Sequence, residues 1–257
     1  MKNESGYHFA AIIPARYAST RFPGKPLVKI GDKLMVQRVY EQAGKSVETV
    51  YIATDDQRIY DAAIRFGGNV VMTSPDHPSG TDRCAEAVDK IISETGKNID
   101  VVINVQGDEP FIKPEQIDLL KSCFNDKNVT LATLVRKTVT GEDIFNPNQP
   151  KVILDIDGNA IYFSRAAIPY IRDHDTSEWT TRHLYYKHLG MYAYKTDILK
   201  KITKLDRSSL ERAESLEQNR WIENGYKIRC AITKWESFGI DTPDDLEKAI
   251  RLSDDFI

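Results

Sequence analysis

The chain has 257 residues, 41% of them hydrophobic and 28% charged, with a net charge of −3, which suits one large α/β domain with a full core better than two independent domains. It contains no run of about 18 consecutive apolar residues, and its first eight residues hold no signal-peptide core, so a cytoplasmic protein without membrane insertion is expected. An isoelectric point near 6.0 and the lack of a basic stripe with interleaved aromatics exclude nucleic acid as an expected partner.

The first 125 residues alternate short apolar runs (10–14, 49–53, 69–72, 101–105) with helical patterns (34–44, 56–66, 82–95, 114–124). Strands separated by helices of this length predict right-handed crossovers and a parallel sheet covered on both faces. From Asn128 the texture changes. A strand-like run over 129–136 precedes a Pro/Asn-rich turn at 146–150, and runs over 151–156 and 160–164 flank Asp157-Gly158-Asn159, a hairpin signal. The polar stretch 173–182 reads as a surface excursion that could be mobile, and 190–194 as a strand. Ser208-x-x-Glu211 is a capping box predicted to open a helix to Asn224, closed by Gly225. A strand over 227–232 follows, and Thr242-Pro-Asp-Asp245 starts the last helix with Thr as N-cap.

The three cysteines are far apart and odd in number, which predicts packing roles and no disulfide framework or zinc site. Five histidines form no His-Glu-x-x-His or Cys/His knuckle, so a transition-metal enzyme is not expected. The sequons at Asn3 and Asn128 read as chance matches.

Three segments carry candidate chemistry. Pro14-Ala-Arg-Tyr-Ala-Ser-Thr-Arg-Phe-Pro-Gly-Lys25 leaves the first apolar run with three cations, and no acid occurs between Ala15 and Ile30. Positive charge at the carboxyl end of a parallel strand predicts a polyanion such as a nucleoside triphosphate. The segment is not a Walker loop, because Gly24-Lys25 is followed by Pro26. Val105-Gln-Gly-Asp-Glu-Pro110 follows another strand; Gly107 would permit an unusual backbone, and Asp108 would hold Mg²⁺ or sit in a solvated turn with Glu109. In Gly239-Ile-Asp-Thr-Pro-Asp244, Asp241 would complete that metal site or cap the helix. Two carboxylates from distant strand ends on one metal would form a phosphoryl or nucleotidyl transfer site.

Together with Tyr162-Phe-Ser-Arg-Ala166 and His188-Leu-Gly, these blocks resemble the 3-deoxy-manno-octulosonate cytidylyltransferases, the CMP-KDO synthetases, over about residues 9–246. The resemblance implies a Rossmann-like, mostly parallel sheet with helices on both faces, of nucleotide-diphospho-sugar transferase type, plus a small mixed β/α lobe at about 128–195 for sugar binding and dimerisation within a single domain spanning 1–257. It implies condensation of CTP with KDO to CMP-KDO and pyrophosphate for lipopolysaccharide biosynthesis, with Mg²⁺ as cofactor, in a homodimer whose interface would lie within about 161–194.

The same resemblance assigns Arg16 and Lys25 to catalysis and, with Ser19, Thr20 and Arg21, to the triphosphate, where forked guanidinium bonds and a compact ammonium would neutralise the departing pyrophosphate. Arg21 could also be a solvated cation. Ser79, Gly80 and Thr81 are assigned to the nucleotide, with a plain cap as the other reading of Thr81, and Asp108 and Asp241 to the metal. Gln106, Arg165, His188, Tyr192, Glu217 and Gln218 are assigned to the sugar, Arg165 pairing with its carboxylate. On their own, Glu217 and Gln218 read as solvated helix positions and Tyr192 as core. His188 could position the sugar, be structural, or help remove a proton. In-line attack of the anomeric hydroxyl on the α-phosphorus is expected, with no single general base assigned. Competing readings are a cytidylyltransferase for 8-amino-KDO or a sialic acid, a nucleotide-sugar glycosyltransferase, and a non-catalytic nucleotide sensor.

Overall fold

The computed structural model describes residues 6–18, 21–236 and 238–253. Strand β1 (Phe9–Ala15) is buried on both faces, which is why it reads as an unbroken apolar run. Phe9, Ala11 and Ile13 enter one core, packed with α1 (Met35–Gly44), α2 (Gln57–Arg65) and α4 (Pro114–Cys123). Ala10 and Ile12 enter the other, packed with α3 (Gly80–Thr95). Helices therefore cover both faces, as expected.

The remaining strands are β2 (Lys29–Ile30), β3 (Lys33–Leu34), β4 (Thr49–Thr54), β5 (Val70–Met72), β6 (Val101–Asn104), β7 (Leu131–Lys137), β8 (Lys151–Leu154), β9 (Ala160–Ser164), β10 (Tyr186–Lys195) and β11 (Arg229–Thr233). Among the described residues, nine of the eleven strands form one sheet, seven of them along the path β11-β7-β10-β6-β1-β4-β5 with β8 and β9 to its side, while β2 and β3 pair separately. β1 is parallel to β4 and β6, β4 to β5, and β11 to β7. β10 runs against both β6 and β7, so its first half lies at the carboxyl ends of its neighbours. That reversal brings His188 and Gly190 to the edge where the loops after β1 and β6 emerge. The β8–β9 hairpin joins β10 at its side through the Lys187–Lys151 pair. Its turn is as predicted: Gly158 has φ 79°, and the Asp155 carboxylate accepts from the Asp157 and Asn159 amides.

Two expectations are corrected. Residues 173–182 are not a plain excursion: they contain the short helix α5 (Trp179–Arg182), and Trp179 is buried with Ile144 and Tyr185 in a satellite core. Between β10 and β11 lie α6 (Thr196–Ile202), which the sequence reading passed over, and two helices in place of the single one predicted over 208–224. These are α7 (Ser209–Glu214), with Ser208 accepting from the Glu211 amide, and α8 (Glu217–Glu223). Ser215 separates them with a left-handed φ of 52°, held by contacts described below.

The last helix, α9 (Pro243–Ser253), begins at the predicted cap: Thr242 and Asp245 exchange bonds between side chain and amide at 3.2 and 3.0 Å. A small core of Ile30, Met35, Ile240 and Ala249, joined by Phe22 and Phe238, docks this C-terminal segment beside the loop after β1. Cys84 and Cys230 are buried in packing positions, and all three thiols are free.

Candidate active site

The loop after β1 turns on Gly24, at φ 72°, whose amide donates to the Tyr17 carbonyl at 2.8 Å. A Cβ at Gly24 would also press on the Tyr17 ring at 3.0 Å. Lys25 follows immediately, its side chain 15% exposed. Its ammonium donates to Asp108 Oδ2 at 2.6 Å, Asp241 Oδ1 at 2.9 Å and the Ile240 carbonyl at 3.3 Å. Burial alone would lower the Lys25 pKa, but Asp108 and Asp241 outweigh it and raise it above the ordinary lysine value. Arg21 adds a second cation on Asp241 Oδ2 at 2.8 Å.

The two acids therefore meet at one point although they lie 133 positions apart in the chain. Asp108 arrives from the loop after β6, and its carbonyl accepts the Ile240 amide at 2.9 Å, which joins the two acidic loops. Because Thr242 and Asp245 provide the cap of α9, the Asp241 carboxylate is released to face the cations. Gly107 serves a purpose different from the one expected. Its φ is not positive; a Cβ there would lie 2.7 Å from the Pro14 carbonyl, so glycine permits the loop after β6 to close on the end of β1.

Arg16 turns the other way, donating to the carbonyls of His77 and of Ser79, the latter at 3.5 Å. This ties the cationic loop to the N-terminus of α3. Ser79, and not Thr81, caps that helix by accepting from the Asp82 amide, which removes the plain-cap reading of Thr81. Thr81 Oγ1 instead donates to Glu217 at 2.7 Å, and Ser79 Oγ to the same carboxylate at 3.1 Å. Burial raises the Glu217 pKa, partly offset by Thr81, Arg220 and Ser79. Glu217 is thus no solvated helix position. Gly80 packs against Pro14. Ser19 and Thr20 lie outside the described residues.

Of the residues assigned to the sugar, Gln106, His188 and Tyr192 meet at β10. Gln106 Nε2 donates to the Gly190 carbonyl at 2.7 Å. His188 Nε2 lies 3.0 Å from Thr133 Oγ1, and its ring meets Phe163 edge-on. Burial pushes its pKa down to about 3, so the imidazole is neutral and a weak proton acceptor at neutral pH. Tyr192 is buried against His188, Tyr194 and Trp221, consistent with its core reading. Gln218 is also buried, and its Nε2 donor has no hydrogen-bond partner. The Arg165 guanidinium is held by the carbonyls of Glu214, Pro147 and Ser215. Glu214, which organises this region, was missed: as one acid on an apparently continuous helix it carried no signal of its own.

Chemically, the arrangement is a nucleotide-binding α/β transferase site, with clustered cations, two convergent carboxylates and a helix N-terminus on one sheet edge. Residues 10–228 match the family described as Cytidylyltransferase, and the chain belongs to that family. Within it the chain falls among the 3-deoxy-manno-octulosonate cytidylyltransferases. It is 56% identical over 246 residues to the protein of that name from Parabacteroides distasonis, covering 94% of this chain and 96% of that one. With the Cytophaga hutchinsonii protein of the same name it shares 54% identity over 252 residues, covering 97% and 99%. Among solved structures, CMP:2-keto-3-deoxy-manno-octonic acid synthetase complexed with CTP superimposes with a TM-score of 0.88 at 39% identity, covering 97% of this chain and all of that one. The protein is accordingly a cytidylyltransferase, with the mixed, largely parallel α/β architecture expected of it.

Proposed function

We propose that this enzyme transfers the cytidylyl group of CTP to the anomeric hydroxyl of 3-deoxy-D-manno-octulosonate, releasing pyrophosphate and supplying CMP-KDO for lipopolysaccharide biosynthesis. The observation that carries this reading is the meeting of Lys25, Asp108 and Asp241 beside Arg21, in a chain whose relatives are named for this reaction. Arg16 and Lys25 hold the β- and γ-phosphates and neutralise charge on the departing pyrophosphate. The amides and hydroxyls of Ser79, Gly80 and Thr81 receive the nucleotide, and Glu217 fixes both hydroxyls.

The acceptor lies against β10. Gln106, Arg165, His188, Tyr192, Glu217 and Gln218 surround it, Arg165 taking the carboxylate with the N–H groups that the three carbonyls leave over. The unpartnered Gln218 donor fits a sugar oxygen: a buried unpaired amide costs on the order of 1–3 kcal/mol, which such a bond would remove. Catalysis is mostly positioning and electrostatics, with attack in line with the leaving group. His188 orients the sugar, its imidazole neutral at neutral pH.

Asp108 and Asp241 would hold Mg²⁺. The donor set fits: both carboxylates reach one ammonium within 2.9 Å, and hard oxygens are the ligands Mg²⁺ takes. Among the described residues no third acid, His or Cys joins them, which suits an ion that completes its shell with phosphates and water. When bound, the ion supplies charge neutralisation at the phosphate oxygens and lowers the pKa of a coordinated sugar hydroxyl.

We further propose a homodimer in the cytoplasm. No described helix is long and apolar enough to cross a membrane. Within residues 161–194, Tyr170 is 74% exposed although it packs edge-on against Trp179, and from outside that range Phe145 lies tilted against the same indole. A second copy is the partner that would cover this apolar face.

The test is pyrophosphate release with each nucleoside triphosphate against KDO, 8-amino-KDO and a sialic acid. The reading expects CTP with KDO to be preferred. Preference for another acid sugar would replace the substrate, and CTP binding without release on any of them would favour a sensor.

A further inference from the structure

Glu214 ends α7 directly before the left-handed Ser215. Its carboxylate accepts three bonds from the end of β9: Tyr162 OH at 2.9 Å, Ser164 Oγ at 2.6 Å and the Arg165 amide at 2.9 Å. Burial pushes its pKa up, but the bonds from Ser164, Arg165 and Tyr162 hold it below the usual carboxylate value. The Glu214 carbonyl then receives Arg165 Nε at 2.6 Å, and the Ser215 carbonyl the NH2 group at 3.3 Å. From the opposite side, Arg165 NH1 reaches the Pro147 carbonyl at 2.8 Å, and the fully buried Lys151 donates to the carbonyls of Arg165 and Asn146 at 2.6 and 3.0 Å.

One acid therefore clasps Arg165 from two directions, by its side chain to the backbone and by its backbone to the side chain. It stands directly before the break at Ser215, while the nucleotide hydroxyls of Ser79 and Thr81 are held separately, by Glu217 of α8. We infer that Glu214 is a positioning residue for the acceptor: without touching the sugar, it aims the Arg165 guanidinium at an acidic sugar. This rests on the reading of Arg165 as the carboxylate-binding group. A strand end held only by its ladder would leave that long side chain free among rotamers, and ordering it on each binding event would weaken affinity for the acceptor alone.

The experiment compares Glu214→Ala, Glu214→Gln and Arg165→Ala in steady-state pyrophosphate release, with CTP affinity measured by calorimetry in the absence of sugar. The expected result is an acceptor KM raised about tenfold or more in Glu214→Ala, CTP affinity within about twofold of wild type, and an intermediate acceptor KM in Glu214→Gln, which keeps one acceptor oxygen. If Glu214→Ala does not fold, Glu214→Gln is judged by the same split between acceptor KM and CTP affinity. An unchanged acceptor KM in the Glu214 variants beside a raised one in Arg165→Ala overturns the positioning role. Equal losses for both substrates overturn it too, as a general structural defect. An unchanged acceptor KM in Arg165→Ala shows instead that the underlying reading of Arg165 fails, and the inference with it.

Discussion

Lys25 and Asp108, 83 positions apart, meet at 2.6 Å on the carboxyl edge of the sheet, and Asp241 closes on the same ammonium at 2.9 Å. The contact joins the loop proposed to grip the leaving phosphates to the acids proposed to hold the metal. Replacing Asp108 by Ala leaves Lys25 paired with Asp241, so the fold should persist, as circular dichroism would show. Pyrophosphate release at saturating Mg²⁺ should fall by roughly a hundredfold or more, the scale of losing one preorganised electrostatic group. Near-normal turnover would remove Asp108 from the metal site.

Gly107→Ala tests the closure of the loop after β6 on the end of β1. Its Cβ would lie 2.7 Å from the Pro14 carbonyl, a backbone atom that cannot rotate away. A loss of about 1–3 kcal/mol in urea denaturation is expected, as for other overpacked sites, together with weakened CTP binding. Unchanged stability would show that the loop has room to separate from the strand end.

The buried imidazole gives a pH signature. His188 has its pKa pushed down to about 3 by burial, from 6.5 in the unfolded chain, with Thr133, Phe163 and Tyr192 as its neighbours. Between these values the unfolded state binds the extra proton. Stability is therefore complete above about pH 6.5 and declines as pH falls, by up to about 1.4 kcal/mol per pH unit from this group. Denaturation midpoints at pH 6.5 and 4.5 should drop less in His188→Gln than in wild type. Parallel profiles would mean that the ring is protonated in the folded state.

The apolar face at Tyr170 should govern assembly. Tyr170→Asp places a charge where a partner would bury the ring, and sedimentation should shift from dimer to monomer with melting of the separated subunit little changed. A variant that sediments like wild type would place any interface elsewhere.

The parts legible in the sequence are those decided locally. β1 and β6 are buried on both faces, so their apolar runs announced a parallel sheet; Asp157-Gly158-Asn159 needed a turn wherever it lay; Thr242 and Asp245 cap α9 within four residues. What could not be read is decided across the chain. Ser215 breaks the predicted helix with a φ of 52°, and its carbonyl accepts from Arg165, 50 positions earlier. Gly107 is needed for a backbone approach to Pro14 that no local pattern encodes, and Asp241 reaches Lys25 because Ile240 and Ala249 pack on Ile30 and Met35. The plain-cap reading of Thr81 stood open until Ser79 was seen to accept from the Asp82 amide and fill that place. The ordered motif blocks pointed to the family, while the second role of Glu217, as the bridge to the nucleotide hydroxyls, became visible only in three dimensions.

The central claim is attack by the sugar on the α-phosphorus, and ³¹P NMR of CTP, KDO, Mg²⁺ and enzyme tests it most directly. The account predicts that the CTP resonances give way to one phosphodiester signal of CMP-KDO and one of pyrophosphate, in equal amounts. Formation of CDP with a phosphorylated sugar or inorganic phosphate, or of CMP and pyrophosphate without a sugar phosphodiester, would contradict it.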